Sequence, residues 1–531
     1  MTHHAMVVTE QHLASQVGLD VLKAGGNAVD AAVAVGYALA VVDPCCGNIG
    51  GGGFMLIRMH DGRERFIDFR EKAPLRATRD MYLDKNGNVV PSRSRKGWLA
   101  IGVPGTVMGL DRALEQYGTM SRARLMQPAI DLARNGWTIE PGDLIPFKGA
   151  AAEGYSGGTL GGSVPHAGER LVQKNLARTL ALIARDGDDA FYRGPIARAV
   201  VDASNANGGI LSMRDFADYT VDESAPVHCA YHALEIISAP PPSSGGVTLC
   251  EILNILAPYP LAQWGWHSVK ETHYVVEAER RAYADRNEYL GDPAFVHDPV
   301  SALLATAYAA KLRAQIDPQR ATPSSQVKPG LHAGLHENAD TTHFSIVDAA
   351  GDAVAVTYTI NDWFGSGVIA GDTGFLLNDE MDDFTSKPGV PNGYGLVQGE
   401  NNDIQPEKRP LSSMTPTIVL RDGKLAMVTG SPGGSRIITI ALETILNVFD
   451  FGMSAQAAVD APRIHMQWLP DLVEYEPHAL TDARLTALRG DGYRFREIPF
   501  WGSAQAIVVR PDGGLEGGTD RRHPAGAALG Y

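Results

Sequence analysis

The 531-residue sequence is poor in cysteine, holding only Cys45, Cys46, Cys229 and Cys250. No C-x-x-C pair occurs and no histidine stands at zinc-finger spacing, so the common structural zinc modules are excluded. Neighbours such as Cys45 and Cys46 rarely bridge each other. The four are read as buried structural thiols in preference to disulfides or metal ligands. Basic residues are in the minority: 46 Lys and Arg against 61 Asp and Glu give a net charge of −15. Such a chain is a poor non-specific binder of nucleic acid or anionic membrane, although a locally basic pocket stays open. Long apolar runs are missing as well. The longest, Ala31 to Val42, is interrupted by Gly36 and falls far short of the ~20 residues a membrane span needs. The start, Met1 to Met6, lacks a basic stretch followed by an apolar run, so no signal peptide is visible. A soluble chain is expected, with export left open if the sequence begins downstream of a leader.

Several catalytic signatures are absent too. There is no H-E-x-x-H, which leaves metal-dependent hydrolysis without support, and no metal or cofactor is expected. Gly50 to Gly53 is not followed by Lys-Ser/Thr and fits no G-x-G-x-x-G spacing, so it reads as a place of close backbone packing and not a phosphate loop. Gly154-Tyr155-Ser156-Gly157-Gly158 matches G-x-S-x-G, but it lies in a Gly-rich stretch with no strand before it and no helix after it. That is a chance match. No repeat at solenoid periods is present.

What is present is a chain that is 44% hydrophobic, enough for a sizeable core. Leu13, Val17, Leu19 and Leu22 recur near helical spacing until Gly25-Gly26 stops them. Asn27 then caps a second helix, Ala28 to Val41, rich in Ala and Val. Phe54–Met59 and Arg65–Arg70, split by Asp61-Gly62, predict a β-hairpin. Residues 105–330 read as mostly helical with loops, including a Gly-rich excursion at 149–168. A rigid turn at Ala239–Gly246 feeds a helix at Val247–Leu256. Residues 318–340 are polar and aperiodic and hold Pro318, Pro323 and Pro329, as a linker or flexible tail would. The character then changes abruptly. Thr342–Val347 and Ala353–Ile360 alternate around Ala350-Gly351-Asp352, a second hairpin. Strands at Thr417–Leu420 and Lys424–Thr429 and a helix at about 436–449 follow.

The junction Asp340-Thr341-Thr342-His343 carries the chemistry. A threonine hydroxyl is a weak nucleophile and needs a base. At a chain N-terminus the free α-amine, with a pKa of about 7.7–8.0, supplies one. That use requires cleavage before Thr341. Thr-Thr at a strand start is also ordinary β-sheet composition.

The stretch Thr341-Thr342-His343-Phe344-Ser345-Ile346-Val347-Asp348 resembles the processing-site motif of the γ-glutamyltransferases, which are N-terminal-nucleophile hydrolases. The resemblance runs from Ser15 to about Pro499. It includes Gly25–Ala32, Gly50–Met55, Asp68-Phe69-Arg70-Glu71, Tyr289-Leu290-Gly291-Asp292-Pro293, Met381-Asp382-Asp383-Phe384, Arg409–Met414 and Gly430–Ser435. It implies an α/β (α+β) fold, a four-layer αββα sandwich shared by two chains after self-cleavage. Residues 1–340 would be the large subunit, with 317–340 its flexible tail, and 341–531 the small one. It implies Thr341 as nucleophile and base, Thr359 as its hydrogen-bonding partner, and the Gly433 and Gly434 amides as the oxyanion hole. Arg70, Ser412 and Ser413 would hold the α-carboxylate of a γ-glutamyl group. Asp383, with Asn361 and Glu380, would hold its α-amine. Tyr394, in a lid-like stretch from Pro388 to Gly395, would reach Asn361.

The activity implied is that of a self-processing γ-glutamyltransferase and glutathione hydrolase, with water, amino acids or dipeptides as acceptors and no nucleic-acid partner. A cephalosporin or glutaryl acylase on the same scaffold is the nearest alternative. Its acyl group lacks the α-amine, so Asp383 with Glu380 favours glutamyl. An uncleaved scaffold is disfavoured by the intact Thr341, Thr359 and Gly433-Gly434 set. The resemblance implies a periplasmic or secreted enzyme, while the missing leader leaves a cytoplasmic one open.

Overall fold

The computed structural model describes residues 2–90, 92–152, 164–330, 341–388, 390 and 399–531. Two antiparallel sheets organise the chain. The first has seven strands in the order Ala527–Gly530, Met6–Thr9, Thr342–Val347, Ala353–Thr359, Gly52–Arg58, Glu64–Asp68 and Asp222–Ser224. The second has six, in the order Leu515–Thr519, Gln505–Val509, Lys424–Gly430, Thr417–Arg421, Leu234–Ser238 and Val227–Tyr231.

Three apolar clusters show how they stack. Met6, Val8, Leu56, Val347 and Ala355 of the first sheet meet Ile237, Ile418, Val428 and Ile507 of the second. The outer face of the first sheet (Met55, Ile57, Phe344, Ile346, Val354) packs on the helices His12–Lys23 and Ala28–Val42. The outer face of the second (Ile236, Val419, Met427) packs on Gly245–Leu256, Val269–Tyr289 and Ile437–Phe449. The order helix, sheet, sheet, helix is the expected four-layer sandwich. Both central strands, Thr342–Val347 and Ala353–Thr359, are buried at every residue, as strands covered on both faces must be.

Local signals act as read. Asn27 caps Ala28–Val42 in a reciprocal capping box with Asp30. Gly62, at φ 90°, turns the first hairpin. Gly50–Gly53 does serve close packing: a Cβ on Gly51 would lie 1.9 Å from the Thr359 carbonyl oxygen, and one on Gly50 2.0 Å from that of Leu376.

Two expectations need correction. Residues 222–238, inside the stretch read as helical, supply three strands, because Val227–Tyr231 and Leu234–Ser238 find the edge of the second sheet to pair with. The cysteines are paired, Cys45 with Cys46 and Cys229 with Cys250. The second bridge ties an edge strand to helix Gly245–Leu256, with its Cα atoms 5.7 Å apart, inside the usual disulfide window. Within 317–340, Ser324 Oγ donates to the Trp468 carbonyl at 2.5 Å and Gly330 N–H to Asp285 at 2.7 Å. Residues 331–340, Asp340 among them, lie outside the described residues.

Candidate active site

Thr341 precedes strand Thr342–Val347, whose register sets Thr342 against Tyr358. One step further puts Thr341 opposite Thr359. Side chains alternate along a strand, so Thr341 faces the same way as His343 and Ser345, into the space between the sheets. That space is apolar at the far end and polar towards Thr341. His343 Nδ1 lies 2.8 Å from Thr357 Oγ1 and its Nε2 3.1 Å from Ser345 Oγ. Burial pushes the imidazole down to about 3, so it is neutral near pH 7. Gly430 makes room for it: a Cβ there would come 2.4 Å from the ring. On the opposite face Thr342 Oγ1 donates to Glu10 at 2.9 Å.

Thr341 is 3% exposed, and its hydroxyl has no hydrogen-bond partner among the described residues. It borders a pocket of about 310 Å³ walled also by Gly433, Pro432, Trp363, Ser503 and Cys46. Gly433 and Gly434 have φ of 137° and 63°, values that favour glycine. They lead through a 3-10 turn, Gly434–Arg436, into helix Ile437–Phe449. The positive end of that helix dipole therefore points towards the pocket wall. A larger depression of about 610 Å³ lies at Leu171–Leu176 and Gly367–Gly374. Its lining brings no nucleophile and base together, so the smaller pocket is the candidate.

From Thr359 a polar chain runs inward. Its Oγ1 accepts from Asn361 N–H at 2.8 Å, and Asn361 Nδ2 donates to the Asp379 carbonyl at 3.1 Å. Asn361 sits at φ 74°, with its Oδ1 buried and without a partner among the described residues. Beyond it Arg70, fully buried, donates to Glu380 and Asp383, with Glu71 at 3.7 Å. Burial drives all three carboxyls upward; Glu380 raises Glu71 and Asp383 further, while its hydrogen bonds to those two and to Arg70 pull Glu380 itself back down. Burial works against the Arg70 charge, but these three neighbours outweigh it and hold it on. Arg286, in helix Val269–Tyr289, donates to Ser413 Oγ at 2.9 Å, and burial pushes its guanidinium down to about 10. Ser412 Oγ accepts from Met414 N–H at 3.2 Å. The frame beneath is ionic: Arg409 reaches Asp68 at 3.3 Å, and its N–H donates to Asp292 at 2.7 Å. Three separate sequence motifs thus meet around Arg70.

The gamma-glutamyltranspeptidase family model matches residues 14–530. The chain belongs to that family. It is 54% identical to a glutathione hydrolase proenzyme of Pseudomonas sp. (strain A14), over 99% of this chain and 94% of that one. To the glutathione hydrolase proenzyme of Escherichia coli (strain K12) it is 48% identical, over 99% and 92%. Among solved structures, a cephalosporin acylase from Bacillus halodurans superposes with a TM-score of 0.88 at 27% identity, covering 100% of this chain and 96% of the acylase.

Within this family member, Thr341 and Gly433 border one pocket, while Arg70, Asn361, Glu380 and Asp383 form a contiguous buried cluster behind Thr359. Arg70 and Asp383, expected on opposite charges of one ligand, are paired with each other. Tyr394 and the G-x-S-x-G stretch lie outside the described residues. Sequence reasoning missed Arg286 and the bonding of Glu71 and Glu10. The one signal for Arg286 is that Glu279, Arg280, Arg281, Asp285 and Arg286 crowd a single helix just before Tyr289-Leu290-Gly291-Asp292 and are all buried.

Proposed function

We propose that this chain is a self-processing γ-glutamyltransferase and glutathione hydrolase whose nucleophile is Thr341. The Thr341 hydroxyl attacks the carbonyl of Asp340, the acyl group shifts from nitrogen to oxygen, and water opens the ester. Residues 1–340 and 341–531 result and stay together as a heterodimer. The freed α-amine then takes the hydroxyl proton as Thr341 attacks the γ-carbonyl of glutathione or another γ-glutamyl amide. The Gly433 and Gly434 N–H groups receive the developing oxyanion, and such donors are worth about 3–4 kcal/mol in the transition state. Thr359, opposite Thr341 by the strand register, supplies the hydroxyl that would hydrogen-bond the nucleophile once the new N-terminus is free, a bond the uncleaved chain does not make. The γ-glutamyl ester passes to water, an amino acid or a dipeptide.

The observation that carries this reading is the buried Thr341 hydroxyl at a strand end, without a partner among the described residues and sharing its pocket with Gly433. The glutamyl head is supported by charge. Three carboxyls, Glu71, Glu380 and Asp383, surround one guanidinium. An incoming ammonium relieves their repulsion, and Arg70, Ser412 and Ser413 are then available to its carboxylate. A glutaryl group brings no ammonium, which ranks the acylase reading second. The two disulfides support an oxidising, exported setting, and no described helix is long and apolar enough to cross a membrane.

The test is a denaturing gel with N-terminal sequencing. Wild type should give two bands, the smaller beginning at Thr341, and Thr341→Ala one band without γ-glutamyl turnover. Two bands from the variant would remove Thr341 from the role.

A further inference from the structure

Cys46 lines the same pocket as Thr341 and Gly433, and it is bonded to its neighbour Cys45. The mechanism above uses neither sulfur. The pair is asymmetric. Cys46, 8% exposed, lines the pocket, whereas Cys45, 2% exposed, does not and has its Sγ 3.1 Å from Asp43 Oδ1. A disulfide sulfur carries no proton, so any hydrogen bond across that contact comes from a protonated Asp43. Burial, reinforced by Asp143, pushes Asp43 up to about 7, which keeps that proton on a good part of the population near neutrality. The backbone around the pair is pinned: Phe364 N–H donates to the Cys45 carbonyl at 3.0 Å, and Asn48 Nδ2 to that of Cys46 at 3.0 Å.

We propose that the Cys45–Cys46 disulfide is a thiol-exchange site opening on the catalytic pocket, and that small cysteine-containing thiols bind covalently to Cys46 there. The choice of thiol rests on the glutathione reading, since that substrate and its cysteinylglycine product bring a thiol to this pocket. The thiol enters as a thiolate after losing its proton to water. Its sulfur attacks Cys46 Sγ in line with the S–S bond, and a new S–S bond forms as the old one breaks. The electron pair leaves on Cys45 Sγ, which takes the proton of Asp43, so the products are a mixed disulfide, a Cys45 thiol and an Asp43 carboxylate. Attack from the pocket side leaves the sulfur beside the acid as leaving group, and a leaving thiol that is protonated as it departs leaves faster. A second thiol can displace the first as a symmetrical disulfide and leave Cys46 reduced. The adduct occupies space that the acyl acceptor or leaving group needs.

The purified enzyme is incubated with cysteinylglycine, quenched with iodoacetamide and mapped by mass spectrometry without reductant. Turnover of γ-glutamyl-p-nitroanilide, which carries no thiol, is followed in parallel. The expected result is one cysteinylglycine on Cys46, a carbamidomethyl group on Cys45, an intact Cys229–Cys250 bridge and loss of turnover that a dithiol reverses. Cys46→Ser should take up no adduct, and the wild-type map decides the matter should that variant not fold. The proposal is overturned if Cys45 and Cys46 are alkylated before any thiol is added, if no adduct forms, if it forms on another cysteine, or if Cys46 is modified with turnover unchanged. The map does not depend on turnover. An enzyme inactive on the anilide from the outset would therefore fail the functional reading without touching this one.

Discussion

Asp383 and Arg70 meet as a buried ion pair, and each has a second interest in an incoming ligand. A buried charge whose partner is removed is left uncompensated, which costs several kcal/mol. Asp383→Asn should therefore sharply lower turnover of a γ-glutamyl anilide while sparing, or raising, that of the glutaryl anilide with the same leaving group. Equal harm to both substrates, or a wild-type preference for glutaryl, would move the assignment to the acylase. Arg286 allows a separate test. Its guanidinium donates to Ser413 Oγ at 2.9 Å and to Asn287 Oδ1 at 2.8 Å, so it positions a hydroxyl expected on the ligand's carboxylate. Arg286→Gln removes the charge-assisted hydrogen bond to Ser413, worth about 1.5–3 kcal/mol, together with the local one to Asn287. The expected outcome is a KM for γ-glutamyl substrates raised roughly ten- to a hundredfold at nearly constant kcat, with self-cleavage retained. A fall in kcat alone would place Arg286 in another role.

At the scale of elements, the Gly50–Gly53 run and strand Ala353–Thr359 behave as one device. Gly51 lies so close to the Thr359 carbonyl that no side chain fits, and Thr359 is the residue opposite Thr341. Gly51→Ala should cost about 1–3 kcal/mol by overpacking and displace Thr359, slowing self-cleavage; a time course on a denaturing gel and a chemical denaturation curve would read both. This device was legible in part. Four adjacent glycines announced close packing, and the alternation of Thr342–Val347 and Ala353–Ile360 announced the hairpin, because those signals are local. Met6–Thr9, four residues long, and the strands at 222–238 were not legible: short edge and filler strands are specified by the neighbours they pair with and not by their own composition. The same holds for the site. Thr341 and Gly433 could be named from motifs, but the mutual pairing of Arg70 with Asp383, the Arg286–Ser413 bond and the Cys45–Cys46 bridge depend on which charges and sulfurs face inward, and helix and strand periodicity does not record that.

For the whole molecule, the position of the proposed cut has a mechanical consequence. Strand Thr342–Val347 lies between Met6–Thr9 and Ala353–Thr359, and Met6–Thr9 is itself clamped between Thr342–Val347 and Ala527–Gly530. In the second sheet Leu234–Ser238 pairs with Thr417–Arg421. Cleavage before Thr341 therefore leaves both sheets built from both products, with the apolar layer between the sheets drawing on each. Each of the three main apolar clusters draws on both pieces. Burial of apolar surface is the main stabilising term in such a body, so separating the pieces would expose it wholesale. The processed protein is expected to elute from a sizing column as one particle of the uncleaved mass and to unfold in a single transition, although a denaturing gel shows two bands. Residues 341–531 produced alone should lack a folded state, since Thr342–Val347 and Thr417–Arg421 would lose their flanking strands Met6–Thr9 and Leu234–Ser238. Two separable folded pieces after cleavage, or a cooperative unfolding transition from 341–531 by itself, would contradict a shared sandwich.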